Sequence, residues 1–588
     1  VDSFGDNIRQ RHEHEGTFVH ARVRQDEIGR IPLLRPVEQQ VQIEHARRVA
    51  LTVAASTCLH FERLEQFEEF FRRQRGVECD GGVQVRALRW TADRIGLVEW
   101  RQGVDANARR STQTVDRALE ICHAIAEVRT QGDTGPRLML RHAASLQLHC
   151  AVVSAPPTLP PTLVSAPPTL PPELRSAVPG PRSHALARRL AAVESRNVTC
   201  LDPGPVFWER AAGANVWDVD GNRYVDLTAA FGVANVGHAH PRVVEAVADQ
   251  ADRLLHAMGD VHPADVKVAL LEELARRFPG GGDCRTVLGS SGSDAVESAL
   301  KTALLATGKP GVVAFKSGYH GLALGALDAT WRPFFREPFS SRLPEATVFA
   351  RFGDADTVLR AAHESPAEIG AVLVEPIQGR GGDRIPPHGF LTALRTLCDA
   401  RGWLLIADEV YTGFGRTGRW FACDHEGVVP DLLCVGKGLA SGMPLSACIG
   451  RNEVMDAWPA SGGEALHTST FLGHPPSCAA ALASLAVIEE EKLVERAADT
   501  GAAALSHLRA RLDATPGISD VRGQGLLIAV ECEDPARSVG ACARALADGV
   551  IVLASGDRGE VVSITPPLSI EPVALEHALD VVVEALCG

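Results

Sequence analysis

Asp431-Leu-Leu-Cys-Val-Gly-Lys437-Gly438 is an apolar run closed by glycines around one lysine, and Trp403-Leu-Leu-Ile-Ala-Asp408-Glu409-Val410 upstream is another that ends in an acidic pair. Short continuous apolar runs read as strands buried on both faces, which puts the lysine and the acids at the carboxyl edge of a parallel sheet, where open α/β folds collect ligands. The chain has six lysines, and the other five (Lys267, Lys301, Lys309, Lys316 and Lys492) lie among polar or helical neighbours that suit a solvated amine. Lys437 does not. At the end of a buried strand a cation is costly, so this lysine pairs or loses its proton and becomes a nucleophilic amine able to form a Schiff base.

An ionised Asp408 needs a cationic partner, and a protonated pyridine nitrogen would supply one. A Schiff-base lysine with a carboxylate on a ring nitrogen meets the needs of pyridoxal 5'-phosphate (PLP), whose ring accepts electrons only while that nitrogen is protonated. Its phosphate requires a cradle, and Thr286-Val-Leu-Gly289-Ser290-Ser291-Gly292-Ser293-Asp294 is a candidate. Small residues there precede a helical stretch, so backbone N–H groups and the helix dipole would face a dianion. A Gly/Ser turn before a helix is by itself more often only an N-cap.

These residues resemble the class III, or ω-amino acid type, PLP-dependent aminotransferases of fold type I. The resemblance runs from about Pro203 to the C-terminus through landmarks in order: Asp218-Val-Asp-Gly-Asn-Arg-Tyr-Val-Asp226, Asn235-Val-Gly-His-Ala-His240-Pro241, Gly289 to Glu297, Gly318-Tyr319-His320-Gly321, Val374-Glu375-Pro376-Ile377-Gln378-Gly379, Asp408 to Gly418, Gly436-Lys437-Gly438 and His467-Thr-Ser-Thr470-Phe-Leu-Gly473. It implies an α/β fold with a large, doubly wound, mostly parallel-sheet domain and a smaller α+β C-terminal domain. It also implies that Lys437 forms the Schiff base and carries the proton, and that Asp408 keeps the ring nitrogen protonated. Val410 and Tyr319 would flank the ring, and Gly292 and Ser293 would hold the phosphate. His320 and Glu375 belong to the cofactor-binding set, and Thr470 would reach the phosphate of a neighbouring subunit, which implies a homodimer with shared active sites.

The resemblance breaks at two places that bear on substrate. Relatives carry an arginine before the C-terminal Pro-Pro-Leu that forks onto a substrate carboxylate, but this chain reads Val561-Val-Ser563-Ile-Thr565-Pro566-Pro567-Leu568. The glutamate that relatives place after the Gln-Gly turn is also changed, to Arg380 in Gln378-Gly379-Arg380-Gly381-Gly382. Arg380 is therefore the candidate for the relocated carboxylate contact, with a solvent-facing loop arginine as the other reading; where Arg380 and Trp331 point decides the pocket. Tyr411 stands where relatives commonly have glutamine, and Arg416 reads as a loop tie. The activity expected is ping-pong transfer from an amine or amino acid to a 2-oxo acid. Racemases, epimerases and mutases on the same scaffold form the alternative that Ser563 keeps open.

Composition sets the remaining limits. The 588 residues carry a net charge of -14, which disfavours nucleic-acid or anionic-membrane partners. The 14 cysteines are scattered without a Cys-x-x-Cys, as expected of reduced thiols in a cytoplasmic enzyme with no metal site. Residues 1–152 lack lysine and tyrosine, are rich in arginine and show one helical stretch near Leu59 to Arg75. No pair of short helices suggests a DNA-binding module ahead of a non-catalytic, PLP-sensing body. A direct repeat follows, Val153-Ser-Ala-Pro-Pro-Thr-Leu-Pro-Pro-Thr-Leu163 and Val164-Ser-Ala-Pro-Pro-Thr-Leu-Pro-Pro-Glu-Leu174. Residues 153–182 are expected to form an extended, weakly structured linker. Because the chain and both repeats begin with valine, a start at Val153 or Val164 is expected, which would leave 1–152 untranslated or disordered. The catalytic region is then 183–588, with a large domain at 237–490 and a small one from 183–236 plus 491–588.

Overall fold

The computed structural model describes residues 165–202 and 204–588. The helical stretch near 59–75, the first copy of the repeat and both proposed starts lie outside the described residues. A hairpin-like β1 (Trp208–Ala212), β2 (Asn215–Asp218) and β3 (Arg223–Asp226) opens the body. Then come β4 (Cys284–Gly289), β5 (Gly311–Phe315), β6 (Thr347–Ala350), β7 (Ile369–Val374), β8 (Leu404–Asp408), β9 (Leu432–Val435) and β10 (Ser446–Arg451). These seven form one sheet in the order β4-β10-β9-β8-β7-β5-β6, in which only β10 runs against its neighbours.

Alternate residues of the inner strands enter two separate cores. Leu433, Val435, Val372 and Val374 pack on one face with Phe390 and Leu485. Leu432, Cys434, Ala371 and Leu373 pack on the other with Ala295 and Ala299 of helix α1 (Gly292–Thr307). Two-sided burial is why these strands read as unbroken apolar runs. The apolar runs predict strands near Thr286 to Leu288, Gly311 to Phe315, Gly370 to Glu375, Trp403 to Asp408, Asp431 to Val435 and Ala447 to Gly450, and each occurs within two residues at either end. Strand β6 gives no such signal because it is a four-residue edge strand whose Thr-Val-Phe-Ala is only half-buried.

The C-terminal part contains helix α2 (Pro475–Glu490), helix α3 (Leu493–Leu512), β11 (Ile518–Gln524), β12 (Leu527–Cys532), β13 (Val550–Ile551), β14 (Leu553–Ser555), β15 (Val561–Ile564) and helix α4 (Pro572–Cys587). The apolar run Val550 to Leu553 predicts a single strand, but it is two strands. Residues Val550 and Ile551 pair in parallel with β3, whereas Leu553 begins a strand that pairs with β15 in an antiparallel sheet ordered β11-β12-β15-β14. The chain changes sheets at Val552, which the local pattern does not show because both pieces are short and apolar. The helical pattern at Leu505 to Leu512 is the C-terminal part of the longer helix α3.

From Ser165 the repeat is laid against the body, which corrects the expectation of a loose linker for that part. Leu170 donates its N–H to Asn215 Oδ1 at 2.7 Å and accepts from Asn215 Nδ2 at 2.9 Å. Glu173 and Arg223 exchange backbone hydrogen bonds of 2.9 and 2.8 Å. Prolines have no donor to satisfy and start nearly extended, so the few free N–H groups suffice to dock the strip at low entropic cost. Among the described residues, no helix is long and apolar enough to cross a membrane.

Candidate active site

The carboxyl ends of β4, β8 and β9 converge on a cavity of about 490 Å³. Every residue expected of the site except Thr470 lines it. Thr470 is exposed on the segment before α2 and outside this cavity.

Lys437 leaves β9 through Gly436 and adopts φ +32°, a conformation that L-residues avoid and that the surrounding packing must hold. Burial pulls its amine below the usual lysine range, and the carboxylates of Asp408 and Glu375 only partly oppose this. Nζ stands 4.9 Å from the centre of the Tyr411 ring. The acidic pair that ends β8 splits. Asp408 turns to the cavity, where its Oδ2 takes a 2.7 Å hydrogen bond from His320 Nδ1 and its Oδ1 accepts from Val410 N–H at 3.1 Å. Glu409 turns into the protein, where it accepts N–H groups of Ala422 and Cys423 at 2.9 and 2.8 Å and the Thr412 hydroxyl. Burial works against a charged His320, but the bond to Asp408 and its charge outweigh it, and the imidazole titrates above its ordinary value. Glu375, whose burial lifts it to about 7, accepts Tyr319 N–H at 3.0 Å.

The other wall is the N-terminus of α1. Ser291 caps it, and the Asp294 carboxylate takes the N–H groups of Ser290 and Ser291 at 2.9 and 3.0 Å. The first-turn N–H groups of Gly292 and Ser293 are left at the cavity wall, as an anion requires. A Cβ on Gly292 would fall 2.8 Å from Val410 Cγ1, so only glycine lets the helix approach β8 this closely. The same holds where the Tyr319 loop docks: Gly321 has φ +123°, and a Cβ there would meet Ser293 Oγ at 2.0 Å. Ser293 Oγ accepts from Leu322 N–H at 3.1 Å, tying that loop to the cradle.

The family model for class III aminotransferases matches residues 199–586. The chain belongs to this family. A 4-aminobutyrate aminotransferase of Mycobacterium leprae is 40% identical over 432 residues, covering 69% of this chain and 95% of that protein. An acetylornithine aminotransferase of Methanopyrus kandleri is 42% identical over 384 residues, covering 65% and 94%. A solved ornithine aminotransferase of Toxoplasma gondii, with PLP partially occupying its active site, superposes with a TM-score of 0.63 at 32% identity over 68% of this chain and 94% of that one. Class III aminotransferases work with PLP, and this cavity suits it. A buried amine of lowered proton affinity, the Asp408 carboxylate and the first-turn N–H groups of a helix surround one space.

The class III site also contains residues that no motif announced. Thr228 and Phe231 come from the segment after β3, Leu553 to Gly556 from β14 and its turn, and Arg332 from Trp331-Arg332-Pro333-Phe-Phe. Only Arg332, a charge among aromatic residues, carried a local signal. Arg380 is exposed at the mouth, its guanidinium carbon 5.1 Å from the Tyr319 ring and 5.3 Å from the Phe335 ring. Trp331 turns from the cavity to pack edge-on against Phe349, 5.1 Å away. Arg416 is buried and donates to Asn235 Oδ1 at 2.9 Å and to the carbonyls of Leu526 and Pro566, tying three segments.

Asp383 lies behind the wall formed by Ser563 and Tyr411. It is 1% exposed, and neither carboxylate oxygen has a hydrogen-bond partner. Burial pushes it up to about 7, and the Ser563 hydroxyl and the Arg522 charge offset this only in part. The folded-state value is thus raised above that of the unfolded chain, so stability falls as pH rises from about 4 to about 7 and is level beyond. Asp383→Asn, which tolerates φ +48°, is expected to raise unfolding stability by about 2 to 4 kcal/mol at pH 8 and to change it little at pH 4. Denaturant unfolding of both proteins at the two pH values checks this; an equal shift at both would exclude an ionisation effect.

Proposed function

We propose that this PLP-dependent aminotransferase moves the amino group of an amine or amino acid to a 2-oxo acid, with Lys437 as the proton carrier and Schiff-base residue. The reading rests on one observation: the buried Lys437 amine, lowered in proton affinity, shares a cavity with the Asp408–His320 pair at the ends of adjacent strands. Bound PLP would supply an electron sink for the carbon from which the proton leaves. Lys437 Nζ would take that proton and return it at the neighbouring position, a role that its lowered proton affinity favours. Asp408, held in place by His320 and Val410 N–H, would keep a proton on the ring nitrogen. Gly292 and Ser293 would hold the phosphate, Tyr319 and Val410 would flank the ring, and Glu375 anchors the Tyr319 loop. Arg380 takes the substrate carboxylate in place of the arginine missing at Ser563.

A homodimer with shared sites, in which Thr470 serves the partner's phosphate, is part of this proposal. Leu466, Phe471, Leu255 and Met258 are exposed apolar side chains near it, and Leu472 O packs on Gly259 to make their two segments neighbours. Such a patch is usual for a subunit face. The division into a large domain at 237–490 and a small one from 183–236 plus 491–588 is supported by the sheet that β3 shares with β13. A cytoplasmic setting accords with free cysteines among the described residues, several of them buried.

The test is a half-reaction. The holoenzyme is mixed with a panel of amines and amino acids in the absence of any acceptor, and the cofactor spectrum is followed. At least one donor is expected to convert the bound cofactor to its amine form. If none does while substrate stereochemistry or amine position changes, the transfer reading is lost.

A further inference from the structure

Asp383 ends a tight turn behind the cavity wall. Its N–H returns to the Gly379 carbonyl at 2.9 Å, and Gly379 lies so close to the Tyr411 ring that a Cβ there would meet Tyr411 Cδ1 at 2.5 Å. Gly382 backs onto β15, where its Cβ would fall 3.2 Å from Val561 Cγ2. The turn sets the Asp383 carboxylate beside Ser563, a β15 residue that lines the cavity. The acid is buried, and the Ser563 hydroxyl lies close to it without completing a hydrogen bond. The arginines around this turn face elsewhere. Arg522 donates to the backbone carbonyls of Asp383 and Gly382 and gives its charge to Asp520 and Glu531, at 2.9 and 2.7 Å. Arg384 meets the Gly381 carbonyl at 2.9 Å and Glu560 at 3.8 Å, and Arg380 lies over Tyr319 and Phe335. Among the described residues, no cationic side chain pairs with the Asp383 carboxylate. An ionised acid buried without a partner is costly, and a positive charge brought by a ligand removes that cost.

We propose that Ser563, backed by Asp383, forms a subsite for a second ammonium group, and that the preferred amino donor is a linear diamine. The proposal rests on the aminotransferase reading of the site. The far ammonium donates an N–H to the Ser563 hydroxyl oxygen, whose own proton turns to Asp383, so the buried carboxylate acts through the serine as a positioning charge. Serine in place of an arginine leaves room for that ammonium, whereas an arginine at residue 563 would repel it. At the reacting end the donor carbon loses its nitrogen to the cofactor and takes its oxygen from water. That carbon is oxidised, the cofactor is reduced, and the far ammonium is unchanged. The 2-oxo acid of the second half-reaction carries no such ammonium and does not use the subsite.

The experiment uses cadaverine, pentylamine and 5-aminovalerate, amines of matched length whose far ends are positive, neutral and negative. Each is mixed with the holoenzyme in the absence of acceptor, and the saturation of the cofactor's spectral change gives a KM and a limiting rate. Calorimetric titration gives the affinities. KM for cadaverine is expected to lie about 10- to 100-fold below that for pentylamine, the scale of one charge-assisted contact, with similar limiting rates. Asp383→Asn and Ser563→Ala should each remove most of that difference by raising KM for cadaverine, and Ser563→Thr, which keeps the hydroxyl, should retain part of it. Equal KM values for cadaverine and pentylamine in the wild type, or an Asp383→Asn change of the same size for all three amines, would overturn the subsite. If no amine converts the cofactor, the transfer reading fails for these donors. The calorimetric order still decides the subsite: tightest binding of cadaverine supports it, and equal affinities refute it.

Discussion

Lys437→Ala is expected to slow amino transfer by about 10⁴-fold or more, because it removes the covalent attachment point and the proton carrier together. No other lysine lines the cavity. Lys316, which stands over Trp331 at 5.5 Å, is held outside it. After borohydride treatment the wild-type chain should carry a covalent cofactor adduct at residue 437, and the variant none. The fold should survive, since alanine removes a buried amine that was costly to desolvate and leaves the backbone at φ +32° as strained as before. In the wild type the pH profile of the proton-transfer step should rise with pH through an inflexion below the usual lysine range, the direction that burial of Nζ imposes. Peptide mass spectrometry of the reduced proteins decides the matter: a stable adduct at another lysine in the variant would refute the assignment.

Asp408→Asn is expected to lower kcat by about 10²- to 10³-fold, the scale of losing one preorganised charge in a water-poor site. The shape changes little, but the charge that His320 Nδ1 meets at 2.7 Å disappears. With its partner gone, burial opposes the charged imidazole and only the Glu375 charge still favours it, so His320 should titrate lower than in the wild type, a shift that NMR can follow. The ring nitrogen likewise loses the group that keeps it protonated. A cofactor analogue methylated at that nitrogen carries a permanent positive charge and should restore much of the activity to Asp408→Asn, while doing nothing for Lys437→Ala. Loss of activity without recovery by the analogue would mean that Asp408 acts only as a scaffold for His320.

The site was legible where a buried strand delivers a polar residue to its end. Asp408 and Lys437 stand out because the runs before them, Leu404 to Ala407 and Leu432 to Val435, belong to strands packed on both faces, so a charge there contradicts its surroundings unless it has a task. The Gly292–Ser293 turn was legible for a related reason, since small residues before a long helix leave backbone donors uncovered. Asp383 and the place of Arg332 were harder. Asp383 is an ordinary residue in its own stretch and Arg332 shows only a charge among aromatic residues, and the surroundings that matter to each come from distant segments, which no local pattern records. Asp383 is unusual only because its carboxylate is buried with no hydrogen-bond partner, and Arg332 only because, among the described residues, it forms no ion pair.

By itself, then, the sequence determined the parallel sheet and its order of events along the chain, the residues at the strand ends, the helix start after the Gly/Ser turn and the loss of an arginine at residue 563. These follow from local periodicity and from the cost of burying charge, both of which act over a few residues. Only the tertiary structure decided that Asp408 faces the cavity while Glu409 does not, that the strip from Ser165 docks on the hairpin, that residues 550–555 divide between two sheets, and that Arg332 joins Arg380 at one mouth. Those outcomes depend on which distant segments meet, and the free energy that selects them is shared among partners hundreds of residues apart.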